Sequence, residues 1–173
     1  MKILLKQAKI IDASSTYHKK CKDILINNGN IIEIQDQIKE DKKYKVIASK
    51  HLHVSKGWID LKANFCDPGH EYKETIDTGL IKAAKGGFTQ VGILPSTEPV
   101  MDQKISIDSL IRKASPNLTG IIPMGCLTKK MGGKELAELY DMQKAGAALF
   151  TDDRISTDAA TLSNALMLSL IHI

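Results

Sequence analysis

The stretch Gly57-Trp58-Ile59-Asp60-Leu61-Lys62-Ala63-Asn64-Phe65-Cys66-Asp67-Pro68-Gly69 decides the fold reading. Apolar and polar residues alternate along it. Ile59, Leu61, Ala63 and Phe65 fall on one face, and Asp60, Lys62, Asn64 and Cys66 on the other. Strands of a parallel α/β sheet are usually covered on both faces and read as continuous apolar runs. A row of four polar side chains is costly to bury unless it lines a pocket. This row runs to the C-terminal end of the expected strand, Trp58–Phe65, where barrel active sites form. The bland alternative is a polar edge strand facing water.

Downstream, strand and helix patterns alternate. Further strands are expected at Thr89–Pro95, Leu118–Leu127 and Ala147–Asp152, with starts spaced as in βα units. Between them lie helical patterns. In Tyr72–Lys85, Ile76, Leu80, Ala83 and Ala84 share one face, and Gly86-Gly87 ends the pattern. Ile105–Ala114 and Lys134–Lys144 follow, and a fourth helix begins near Asp158. These units argue for a parallel sheet with covering helices, either an open doubly wound sheet or half of an eight-stranded barrel. No GxGxxG follows a strand, and Gly132-Gly133 lacks a Walker pattern, so the glycine pairs read as helix boundaries.

Upstream, residues 1–56 read as a small β module. Asp23-Ile24-Leu25-Ile26 and Ile31-Ile32-Glu33-Ile34 flank Asn27-Asn28-Gly29-Asn30, a hairpin signal. Ile3-Leu4-Leu5, Ala8–Asp12, Tyr44–Ala48 and His51–Val54 are the other strand candidates.

The chain has 173 residues, 43% hydrophobic and 25% charged, an ordinary globular composition that argues against disorder. No apolar run is long enough to span a bilayer as a helix, and the N-terminal run is too short for a signal peptide. Cys21, Cys66 and Cys126 form no CxxC pair and suit reduced thiols in a cytoplasmic protein. Residues 1–56 hold 12 Lys against 6 Asp and Glu, a net +6, which leaves −2 of the overall +4 for the rest. The basic residues are scattered and aromatics are only 5%, so a solvated surface is expected and no nucleic-acid partner.

The region Gly57–Thr75 resembles the dihydroorotase signature of the amidohydrolase superfamily, roughly PG-(hydrophobic)-ID-x-H-x-H-x-R-x-PG-x-x-x-KE. The likeness continues through Ala83-Ala84-Lys85-Gly86-Gly87-Phe88-Thr89, Leu94-Pro95-Ser96-Thr97-Glu98-Pro99 and Ala147-Ala148-Leu149-Phe150-Thr151-Asp152-Asp153. It covers about residues 1–165. It implies an α/β fold in which 1–56 is part of a composite β-sandwich and 57–167 holds the first four βα units of a (β/α)8 TIM-type barrel. The last six residues, 168–173, match what a transposase sequencing adapter encodes and read as a non-native tail; the native chain is expected to continue, and His172 is not counted as a site residue.

The departures from that signature bear on function. The zinc-binding HxH pair of active relatives falls on Lys62 and Asn64, the arginine that holds the substrate carboxylate on Cys66, the loop asparagine on Ser96, and the glycine after the acidic pair on Arg154. Asp152 or Asp153 occupies a position where some relatives bind metal. An ammonium has no lone pair, and an amide oxygen is a poor zinc ligand beside imidazole. Without a Lewis acid, bound water keeps a pKa near ~15.7 rather than ~7. No metal or other cofactor is therefore expected here, although active relatives use zinc. Lys62 is expected to stand in for the lost metal charge and pair with Asp152 or Asp153.

The leading expectation is a dihydroorotase-like protein of the pyrimidine pathway without zinc-dependent hydrolysis. It would bind a small anionic metabolite through Lys62, Asn64, Cys66, Ser96, Asp152 and Asp153, or partner with a carbamoyltransferase-type enzyme. The alternatives are an active cyclic-amide hydrolase with a rebuilt site and a non-catalytic assembly scaffold. A homo-oligomer is expected, because a half barrel leaves strand edges open. His51-Leu52-His53 is a second HxH, placed ahead of the signature; two ligands alone rarely make a zinc site, so an exposed strand is the expectation.

Overall fold

The computed structural model describes the backbone of residues 1–172 and the side chains of residues 1–169. Ile173, and the side chains of 170–172, lie outside it, so the adapter-like tail is described only in part. The chain divides into two compact units, Met1–Lys56 and the residues from Gly57 onward.

The first unit is one sheet of β1 (Lys2–Ile11), β2 (Cys21–Asn27), β3 (Asn30–Gln35), β4 (Tyr44–Ala48) and β5 (His53–Ser55). Strand order is β3-β2-β1-β4, and β5 also pairs with β1. The β2–β3 hairpin turns on Asn28 and Gly29 at φ +47° and +84°, the left-handed pair that a tight hairpin requires. Two expected strands, Ile3–Leu5 and Ala8–Asp12, are one strand broken by a bulge between Leu5 and Ala8. Gln7 sits in the bulge at φ +48°, and its amide donates to Asp23 Oδ1 at 2.8 Å. Leu4, Leu25 and Ile38 form one apolar cluster of this sheet; Ala8, Ile10 and Ile24 form the other.

The second unit is built on β6 (Trp58–Ala63), β7 (Phe88–Ile93), β8 (Gly120–Gly125) and β9 (Leu149–Phe150), ordered β6-β7-β8-β9 and parallel throughout. The connecting helices are α1 (Ile76–Lys85), α2 (Lys104–Ala114) and α3 (Leu139–Ala145), and α4 (Ala159–His172) follows β9. This is the α/β half-barrel arrangement expected from the sequence. The core packs α1 and α2 on the sheet through Ile76, Leu80, Val91, Ile93, Ile107 and Leu110.

Helix starts differ from the periodicity for identifiable reasons. The first helix begins at Ile76 rather than Tyr72 because Thr75 caps it in a reciprocal box with Thr78. Buried Asp67 adds to that cap. Its Oδ2 accepts the Ile76 N–H at 2.9 Å, and its Oδ1 takes Lys113 Nζ at 2.6 Å, which ties the β6–α1 loop to α2. The third helix starts at Leu139 rather than Lys134. The preceding residues fold back on the β8 loop instead, with the Lys129 N–H on Glu135 O and the Ala137 N–H on Leu127 O.

The largest correction concerns β6. Its pairing with β7 is irregular between Asp60 and Ala63, and the strand ends at Ala63. Asp60 Oδ1 accepts the Lys62 N–H at 2.9 Å across this irregularity. Asp60 consequently joins Ala63 and Phe65 in a groove of about 200 Å³ against α1. Ile59 and Leu61, expected to share a face with Ala63 and Phe65, are 54% and 59% exposed. The four-residue polar row is thus broken, and Asn64 and Cys66 lie in the loop beyond the strand.

Candidate functional site

The loops at the C-terminal ends of the barrel strands bring three of the six expected site residues into one hydrogen-bonded chain. Asn64, just past β6, donates its side-chain N–H to Ser96 Oγ at 3.2 Å. Ser96, just past β7 and 2% exposed, donates its hydroxyl to Asp153 Oδ2 at 2.9 Å. Asp153 follows β9, so the chain crosses from one edge of the sheet to the other. Asn64 is oriented from behind, since its Oδ1 accepts the Cys66 N–H at 2.8 Å. Cys66 itself holds φ +62°, a left-handed conformation uncommon for a residue with a side chain. Asp153 Oδ1 is buried and accepts no hydrogen bond.

Two expected site residues are placed elsewhere. The Asp152 carboxylate is spent on the β8 loop: Oδ1 accepts the Leu127 and Thr128 N–H groups at 3.0 and 3.2 Å, and Oδ2 accepts the Thr128 and Thr157 hydroxyls. Thr128 Oγ1 in turn accepts the Gly133 N–H at 2.8 Å. Lys62 is exposed and forms no ion pair among the described residues, so its expected pairing with Asp152 or Asp153 does not form. The reason is geometric and chemical together. The β6 irregularity takes up the Lys62 backbone, and the Asp152 carboxylate is spent on the β8 loop.

Arg154 is a residue of this site that the sequence reading noted only as a departure. Its Nη2 donates to the Ser96 carbonyl at 3.0 Å, so its guanidinium reaches from the β9 loop to the β7 loop. Its place directly after the acidic pair was the available signal.

The donor set does not fit zinc. Lys62 offers no lone pair and the Asn64 amide oxygen is occupied by Cys66, so the unpartnered Asp153 Oδ1 gains no companion ligand from either of them. Among the described residues no three His, Cys, Asp or Glu side chains converge as a metal site. His51 and His53 are exposed in the first unit, with His53 Nδ1 on the His51 carbonyl at 2.8 Å. Cys126 is buried at the end of β8. Burial pushes its thiol up to about 12, and the carboxylates of Asp152, Asp102 and Asp153 add to the effect. It stays protonated at neutral pH and is no nucleophile.

The succession of an N-terminal β module and parallel βα units along the chain is shared with solved structures of similar fold. A D-hydantoinase structure superposes with a TM-score of 0.69 over 96% of this chain and 37% of that one, at 22% identity. The L-hydantoinase of Arthrobacter aurescens also gives 0.69, over 86% of this chain and 32% of that one, at 18% identity. A dihydroorotase structure gives 0.60 over 86% and 41%, at 14% identity. At these identities the likeness is one of fold.

The family model described as Dihydro-orotase-like matches residues 51–170, and the chain belongs to that family. The dihydroorotase of Elusimicrobium minutum is 40% identical over 156 residues, 88% of this chain and 35% of that protein. The dihydroorotase of Aquifex aeolicus is 34% identical over 171 residues, 98% of this chain and 40% of that protein. The chain therefore spans between a third and two fifths of the length of these curated relatives.

Proposed function

We propose that this chain is a dihydroorotase-family protein of pyrimidine biosynthesis whose barrel mouth binds a small anionic cyclic amide without zinc-dependent hydrolysis of it. The observation that carries this reading is the state of Asn64. It stands where a zinc-binding imidazole would stand in an active relative, yet both ends of its amide are committed, to Cys66 and to Ser96. An amide held this way serves to shape a polar wall. A zinc site would need lone pairs from it and from its strand neighbour Lys62, which has none. Without a Lewis acid to lower the pKa of water, ring opening at neutral pH has no strong nucleophile. Family membership supports the substrate class, a six-membered cyclic amide carrying a carboxylate.

The test is metal analysis of the purified chain together with dihydroorotate hydrolysis, followed by zinc titration. The expected result is substoichiometric zinc and no turnover above the uncatalysed rate, with or without added metal. Stoichiometric zinc accompanied by turnover would replace this reading with that of a rebuilt active site.

A further inference from the structure

We propose that Arg154 is the anion-recognition residue of this mouth and takes the carboxylate of the bound cyclic amide. The assignment rests on the ligand-binding reading above and adds to it a residue and a recognition chemistry. A guanidinium carries five N–H donors in a rigid planar fork. Arg154 has one of its nitrogens on the Ser96 carbonyl. No carboxylate pairs with it among the described residues, and the side chain is exposed. The anchoring bond matters, because Ser96 is buried and bonded to Asn64 and Asp153. The guanidinium is thereby tied to a network that spans three strand ends, on a side chain that is otherwise exposed.

A freely solvated arginine would have no such anchor. A purely structural one would have its donors consumed by the protein. Asp152 is turned into the β8 loop and Asp153 toward Ser96, and neither forms an ion pair with the guanidinium. A planar oxyanion that accepts two parallel N–H groups is the ligand chemistry such a fork selects.

The test compares two probes on the full chain by calorimetry: dihydroorotate, and dihydrouracil, which has the same ring without the carboxylate. The wild-type chain is expected to prefer dihydroorotate. Arg154→Gln is expected to weaken dihydroorotate binding about tenfold or more, the equivalent of one charge-assisted contact, and to leave dihydrouracil unchanged. Arg154→Lys, which keeps the charge but loses the fork, is expected to fall between them. The ratio between probes is the readout, because loss of a merely structural contact would weaken both alike. If Arg154→Gln fails to fold, the lysine variant still carries the comparison. A wild-type preference that survives both substitutions overturns the arginine assignment and leaves the ligand site standing. A wild-type chain that binds neither probe overturns both.

Discussion

Asp23 shows how one carboxylate can organise a bulged strand. It is fully buried and accepts the Gln7 and Ile38 N–H groups, the Gln7 side-chain amide and Lys6 Nζ at 2.7 Å. Burial alone would raise its pKa. The Lys6 ammonium and the Ile38 and Gln7 donors outweigh that effect and bring it down to about 2 from an ordinary 3.8. A carboxyl whose folded pKa is depressed contributes stability that is fully present above its unfolded pKa and is lost as pH falls through its folded one. The expected outcome is a loss of about 2 kcal/mol from this group between pH 4 and pH 2. Urea unfolding at several pH values checks it, with Lys6→Met as the comparison. Removing the ammonium should flatten the acid dependence, and an unchanged slope would count against this account. Sequence alone shows Asp23 only as the first residue of a hairpin strand. Its partners at Lys6, Gln7 and Ile38 depend on how the sheet closes.

The β8–α3 loop is the element where tertiary contacts most changed what periodicity suggested. Lys130 and Met131 both hold positive φ, at 52° and 54°, inside a short 3-10 turn, Lys129–Met131. Asp152 and Thr128 secure this turn, together with the Lys130 N–H on Asp102 Oδ2 at 2.8 Å. Asp152→Ala leaves two loop N–H groups without their acceptor. The expected cost is about 2–3 kcal/mol, with faster hydrogen exchange at the Leu127 and Thr128 amides. Unchanged exchange there would show that the loop holds without the carboxylate. The strands and helices themselves were legible, because apolar spacing reports burial directly. Their ends were not, because capping boxes, folded-back segments and the β6 irregularity depend on partners distant in sequence.

At the scale of the whole molecule, each unit presents its own surface. No helix among the described residues is long and apolar enough to cross a membrane. In the second unit, among the described residues, β6 pairs with β7 alone and β9 with β8 alone, which leaves the outer sides of β6 and β9 as sheet edges. Trp58, Ile59 and Leu61 on the β6 edge are 65%, 54% and 59% exposed. Contiguous exposed apolar residues on an open strand edge favour self-association. Sedimentation velocity of the full chain is expected to show concentration-dependent oligomers, reduced when Ile59 and Leu61 are both replaced by Lys. A wild-type chain that stays monomeric across the concentration range would refute this. The amino-acid sequence by itself determined the alternation of βα units, the β module ahead of them and the family likeness, since each resides in residue identity and local spacing. Only the tertiary structure decided that Asn64, Ser96 and Asp153 join while Lys62 and Asp152 stay apart, and that Arg154 reaches back to the β7 loop. Those contacts link residues 24 to 58 positions apart or turn on a strand irregularity, and short-range periodicity carries no information about either.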